Sequence, residues 1–399
     1  MPTPPIRLRS LAAFATLAVL ALTLVDARGL PSRLRDAEFW SLVTEFSEGG
    51  GYFPSDNFVS NEMEYQTVVP ALQATIKPGG VYVGVGPDQN FTYISALRPG
   101  IVFIVDIRRQ NMLHQLLYKA LFELSPTRAD FLSRLFGRPK PERLDRASTA
   151  EALFDAFDRT APSRLLFDET SRRVFDLLER QHRFALTPDD VATMRYVLGT
   201  FFEFGPELSY APVDADRRFS LPPGLRRSMF PSFAELATRT DGQGVNRGYL
   251  ATEASYAFLR DLQRRNLIVP VVGDFAGDRA LRSVGAWVGE RGAVVTTFYT
   301  SNVEQYLFQN RVWDRFYANV ATMPLDETST FIRSYFPYGG TIRLNPRVQP
   351  FDPANPISQN LFLYPESDQL VTPVREVLAA VADGRVASYL DLIGLSRPR

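Results

Sequence analysis

The residues able to do chemistry stand at the ends of apolar runs. Val81-Tyr82-Val83-Gly84-Val85-Gly86 leads into Pro87-Asp88-Gln89-Asn90, and a second run, Ile101 to Val105, ends in Asp106. A strand feeding Gly-x-Gly lets backbone approach a ligand, because glycine has no Cβ and accepts positive φ. A carboxylate at the tip of the next strand, about 20 residues on, is placed to accept hydrogen bonds from a ribose diol. The pair points to a nucleoside-bearing ligand. Leu267 to Val272 leads to Asp274 in the same way, and Ala293 to Tyr299 leads to Ser301-Asn302. In open parallel sheets ligands bind beyond the carboxyl ends of the strands. Gly84, Gly86, Asp106, Asp274, Ser301 and Asn302 are therefore expected to converge on one crevice.

Several flanking groups have two readings. Arg108 and Arg109 could clamp a carboxylate or phosphate, or be solvated charges at a helix start. Asn61 and Glu62 could fold over the crevice with Glu62 as general base. Alternatively Ser60 or Asn61 caps a helix with the acid in its first turn. Asp88 either caps the helix behind it or holds a ligand ammonium group. Tyr306 either reaches the crevice or packs as core. His114, in mid-helix, reads as core or surface.

The elements that must position these groups alternate. Helical spacing covers Phe39 to Phe46, Glu62 to Leu72, Asn90 to Leu97 and Gln110 to Leu124, with strands at 81–85 and 101–106. This β-α-β-α order favours a parallel sheet. Residues 126–245 break the rhythm and read as a mainly helical insertion or cap of roughly 120 residues, too long for a plain loop. Within it Ser148 and Glu151 read as a capping box, and Thr187-Pro188-Asp189-Asp190 as a helix start. Alternation returns with a helix from Thr252 to Arg265, a strand at 267–272, a helix from Asp278 to Glu290 and a strand at 293–299. A long helix from Val303 to Ala321, a strand at 329–335, a terminal strand at 360–364 and a last helix from Val374 to Ala382 complete the reading. The expected fold is α/β, a Rossmann-like, doubly wound, mainly parallel sheet. It is split into parts at 28–125 and 246–399 by the insertion.

Composition narrows the chemistry. The chain has 399 residues, equal numbers of acidic and basic side chains, no cysteine and two histidines. Zero net charge argues against a dedicated nucleic-acid binder. The absence of cysteine removes disulfides and thiol nucleophiles, and two histidines cannot supply a His-rich zinc site; no metal is expected. Arg7 and Arg9 precede an apolar stretch from Leu11 to Val25, and Val25-Asp26-Ala27 suits a signal peptidase. Residues 1–27 are thus expected to be a cleaved export signal or an uncleaved membrane anchor, giving a periplasmic or anchored protein, or a cytoplasmic one if the start is misassigned. A membrane contact is expected only in the anchored case.

The strand-end residues resemble those of the class I S-adenosylmethionine (SAM) methyltransferase fold. The resemblance implies that Gly84 and Gly86 hold the methionine part, Asp106 the ribose and Asp274 the adenine side. Ser301 and Asn302 would then face the substrate. Asn57 to Glu62, Gly84 to Ile94, Ile101 to Asn111, Leu267 to Gly277 and Ser301 to Leu307 also resemble an uncharacterised bacterial family with that fold. Tyr82 stands where the usual acid would be, and Asp88 where the usual third glycine would be. The implied cofactor is SAM. Joined with the readings of the flanking groups above, the candidate site has Gly84, Gly86, Asp88, Asp106 and Asp274 on the cofactor, Asn61, Arg108, Arg109 and Ser301 on the substrate, and Glu62, Asn302 and Tyr306 as catalytic candidates. Two rivals stand beside it: a non-catalytic exported protein that binds a small molecule or partner on this scaffold, and an NAD(P)-dependent oxidoreductase. Asp88 at the start of the helix would repel a pyrophosphate.

Overall fold

The computed structural model describes residues 29–53, 55–210, 230–336 and 367–396. Helix α1 (Asp36–Phe46) and a short α2 (Val69–Thr75) precede the sheet. Then come β1 (Val81–Gly84), α3 (Gln89–Leu97), β2 (Ile101–Asp106) and α4 (Arg109–Leu124). The segment between residues 126 and 245 holds α5 (Arg128–Phe136), α6 (Ala150–Asp158), α7 (Arg164–Phe175), a π-helical turn (Asp176–Gln181), α8 (Pro188–Phe204) and α9 (Phe233–Ala237). Helix α10 (Glu253–Arg264), β3 (Ile268–Val272), α11 (Ala280–Glu290), β4 (Val295–Ser301), α12 (Val303–Gln309), α13 (Trp313–Val320), β5 (Thr330–Tyr335), β6 (Asp368–Pro373), α14 (Val374–Ala382) and α15 (Tyr389–Leu395) follow.

The six strands form one mixed sheet in the order β3-β2-β1-β4-β5-β6. All pairs are parallel except β5 with β6. Strands β1, β2 and β3 are buried along their whole length, which is why they read as unbroken β-branched runs rather than alternating ones. The order reverses between β1 and β4, and a sheet opens a crevice at such a switch point.

The helical segment is welded to α4. Phe122 packs at a tilt against Phe131 with centroids 4.7 Å apart, and Phe201 lies 5.5 Å from the His114 ring. Arg128, almost wholly buried, pairs with Glu253 at 3.0 Å and donates to the carbonyls of Leu250, Ala251, Arg146 and Ser148. Its planar fork of donors lets one side chain satisfy several backbone acceptors where chain segments meet.

Three local expectations need correction. The cap of α6 is Thr149, whose hydroxyl accepts from the Ala152 amide, whereas Ser148 closes a turn with Asp145. The expected helix from Val303 to Ala321 is two helices, parted where Arg311 adopts φ 57°. Helix α2 begins at Val69, not Glu62: residues 63–68 are turns, and Ser60 accepts from the Glu62 amide as a turn rather than a helix cap. The expected strand at 360–364 and the N-terminal signal lie outside the described residues. Among those residues no helix is long and apolar enough to cross a membrane.

Candidate functional site

The carboxyl ends of β1 to β4 meet around one cavity of ≈ 370 Å3, inside the range of about 300–1,000 Å3 usual for small-molecule sites. Gly86, Asp106, Arg108, Asp274, Ser301, Asn302 and Tyr306 all line it. Tyr52, Phe53 and Asn57, from the loop after α1, line the outer side, with Val85, Ile107, Phe275, Val303 and Leu307 among the apolar walls.

The two glycines have different jobs. Gly84 does not line the cavity: a Cβ there would meet Asn90 Oδ1 at 2.1 Å and the Tyr82 ring at 2.7 Å. Asn90 is the brace of the turn. It accepts from the Tyr82 hydroxyl at 2.9 Å and donates to the carbonyls of Val85 and Pro87, both at 2.8 Å. Gly86 has φ +80°, and the nearest atoms to a Cβ would be Gln89 Nε2 at 3.7 Å and Asn57 Nδ2 at 3.9 Å. Positive φ, with no atom nearer than 3.7 Å to a Cβ, makes Gly86 the place where a ligand can approach backbone.

Asp106 lines the cavity but is largely engaged. Its Oδ1 accepts from the Arg108 amide at 2.9 Å and from Arg108 Nε at 3.0 Å, and its Oδ2 accepts from Nη2 at 2.9 Å. A carboxylate has about four lone-pair sites, so roughly one is left for a ligand hydroxyl. Arg108 also donates through Nη1 to the carbonyls of Ser55 at 3.1 Å and Asp56 at 2.7 Å. It therefore ties the outer loop to the tip of β2 instead of standing ready for an anion. Asp274 is half-buried, and its Oδ1 accepts from the Ala276 amide at 2.9 Å.

Five sequence candidates lie off the cavity wall. Arg109 forms a two-pronged pair with Asp190 at 2.7 Å on each prong, latching α4 to the start of α8. Asp88 makes no side-chain cap; it is buried and accepts from the Tyr249 hydroxyl at 3.1 Å. Burial pushes its carboxyl up to about 7. Gly84 is filled as described above, and Asn61 is half-buried outside the cavity lining. Glu62 sits one side chain behind the wall. It accepts from the Tyr299 hydroxyl at 2.7 and 2.8 Å, from Gln369 Nε2 at 3.3 Å and from the Ser301 hydroxyl. Burial pushes its carboxyl up against those bonds.

Ser301 and Asn57 line the cavity with left-handed backbone, at φ 52° and 49°. Such backbone in a residue other than glycine is uncommon and concentrates where a site is held in shape. At Ser301 the pairing of β4 with β5 also shifts register. Gln89, Asn57, Tyr52 and Phe53 were not singled out from sequence. Asn57 and Gln89 fall inside the resembling strings Asn57 to Glu62 and Gly84 to Ile94, whereas Tyr52 and Phe53 carry no such signal.

A family model described as Domain of unknown function (DUF7790) matches residues 57–187 and 226–347. These segments span more than half of the chain, which therefore belongs to that family. No curated protein matches the chain.

Proposed function

We propose that the sheet is a Rossmann-like scaffold whose switch-point crevice binds S-adenosylmethionine, and that the protein is a methyltransferase-like SAM binder. The observation that supports this most is the meeting of Gly86, Asp106 and Asp274 around one open cavity at the β1–β4 reversal. The residues present fit an adenosyl group. Gly86 leaves room beside the backbone, Asp106 keeps about one acceptor site, and Ile107 and Phe275 supply apolar surface next to both acids. Bound there, SAM would supply an electrophilic methyl group. The chain's part is to hold and align, which is most of what methyl transfer asks of a protein.

The electrostatics favour SAM over a dinucleotide. Among the described residues Arg108 is the one cation lining the cavity, and its donors are committed to Asp106 and to backbone. A pyrophosphate would face two carboxylates without a free cation, whereas a sulfonium carries positive charge. Export is part of the proposal, and the mass of the mature N-terminus tests cleavage after Ala27. The ligand test is thermal shift with SAM, S-adenosylhomocysteine and NAD in parallel. Stabilisation by the two adenosyl ligands alone supports the reading, and stabilisation by NAD alone overturns it.

A further inference from the structure

We infer that Ser301 and Gln89, backed by Glu62, form a subsite for an amine-bearing ligand. The ligand's N–H bonds would donate to the Ser301 hydroxyl oxygen and the Gln89 carbonyl oxygen. The inference rests on the crevice being a ligand site, a premise shared with the reading above, but not on the adenosyl cofactor.

Counting protons leads there. Tyr299 has one hydroxyl proton, and the two oxygens of Glu62 lie 2.7 and 2.8 Å away. With its proton given to Glu62, Tyr299 is an acceptor toward Gln89, whose Nε2 lies 2.8 Å away. That fixes the amide: its nitrogen faces Tyr299 and its Oε1 is left over. Oε1 is buried and finds no donor among the described residues, on a side chain that lines the cavity. A buried acceptor left unsatisfied is uncommon and asks for a partner. The hydroxyl proton of Ser301 also goes to Glu62, so the lone pairs of Ser301 are what remain for the cavity.

The charge behind this wall agrees. Glu62 receives neutral donors only, from Tyr299, Ser301, Gln369 and Ser334, and no ion pair to it exists among the described residues. The other titratable groups close enough to feel its charge are the hydroxyls of Tyr82, Tyr93, Tyr210 and Tyr389, which bring no positive charge. A buried carboxylate without a cation is costly, and a protonated amine two bonds of the network away relieves it. At these two oxygens a carboxylate or phosphate would meet acceptors only. If Glu62 takes up a proton, Ser301 can accept from it and donate outward, so the amine preference should fade in acid.

The test uses three probes of one shape: benzylamine, benzyl alcohol and benzoate, titrated by ligand-detected NMR into the full chain at neutral pH. Benzylamine is expected to bind about tenfold or more tightly than benzoate, the scale of one charge-assisted hydrogen bond. In Ser301→Ala and Glu62→Gln, each checked for folding by thermal unfolding, the preference should fall several-fold, to what Asp106 and Asp274 alone supply. If Glu62→Gln does not fold, Ser301→Ala alone decides. Benzoate binding as tightly as benzylamine, no probe binding, or selectivity unchanged in a folded variant overturns the inference. S-adenosylhomocysteine binding without amine selectivity removes this inference alone; amine selectivity without S-adenosylhomocysteine binding removes the cofactor reading alone.

Discussion

The guanidinium of Arg108 takes both oxygens of Asp106, through Nε at 3.0 Å and Nη2 at 2.9 Å, while both side chains are almost fully buried. The acid at the tip of β2 is therefore a structural partner as well as a ligand candidate. Arg108→Met should destabilise the protein by about 3–5 kcal/mol, the usual result of stranding one half of a buried pair. Denaturant midpoints check this. A loss below about 1 kcal/mol, the scale of exposed pairs, would mean that the pair is not buried in solution.

Asp106→Ala should weaken S-adenosylhomocysteine binding by about 1.5–3 kcal/mol, the scale of hydrogen bonds to a charged group. Calorimetry reads it, with Arg108→Met as the control for disturbance of the outer loop. Unchanged affinity would remove Asp106 from the ligand site.

The two glycines should part company. In Gly84→Ala the new methyl meets Asn90 and Tyr82, and overpacking of this kind costs about 1–3 kcal/mol of stability. Ligand affinity per folded molecule should survive. Gly86→Ala sits at φ +80°, where the new methyl meets only the amide nitrogens of Gln89 and Asn57, at 3.7 and 3.9 Å. There the methyl should project toward the ligand and lower affinity as well as stability. Equal effects on affinity would contradict the division of roles.

Asp88 supplies a pH test. Its carboxyl, pushed up to about 7 by burial, holds a proton in the folded chain that the unfolded chain releases near pH 4. The folded state thus binds more protons between those values, and stability falls as pH rises through that window. Asp88→Asn should remove the fall and stabilise the protein at pH 8 by on the order of 2 kcal/mol or more, with ligand binding unchanged. Chemical denaturation across pH checks both parts.

His182 gives a second slope. Burial opposes its charge, but the hydrogen bond and charge of Glu123, at 3.1 Å, and Asp36 at 3.0 Å outweigh that and raise its pKa despite nearby Lys119. A raised histidine stabilises the fold fully below its unfolded value, about 6.5, and that contribution is lost as pH climbs through the folded value. His182→Phe should flatten the stability profile on the alkaline side of 6.5 and leave the Asp88 slope in place.

Sequence legibility followed burial. Strand β2 was read to the residue because its β-branched run is continuous and Pro99-Gly100 and Asp106 mark its ends. The cap at Thr187 was legible because a capping box with proline is a local code. The break before α13 was not, since Asn310 and Arg311 carry no turn signature and the interruption depends on how α12 and α13 pack. Strand β6 was missed because its partner β5 is antiparallel and lies far back in the chain. Within the site, position in sequence identified strand tips but not the direction of side chains. Asp88, Arg109 and Glu62 were read as ligand-facing, and each turns instead to a partner brought by a distant element: Tyr249, Asp190 and Tyr299. Those partners lie more than 80 residues away, beyond the reach of any local pattern.

The most direct measurement is a calorimetric titration of S-adenosylhomocysteine into the wild-type chain and into Val303→Phe, which puts a larger ring into the cavity wall. The account expects one ligand per chain for the wild type and lost or much weakened binding for the variant, with both folded. No binding by the wild type, or equal binding by both, would contradict it.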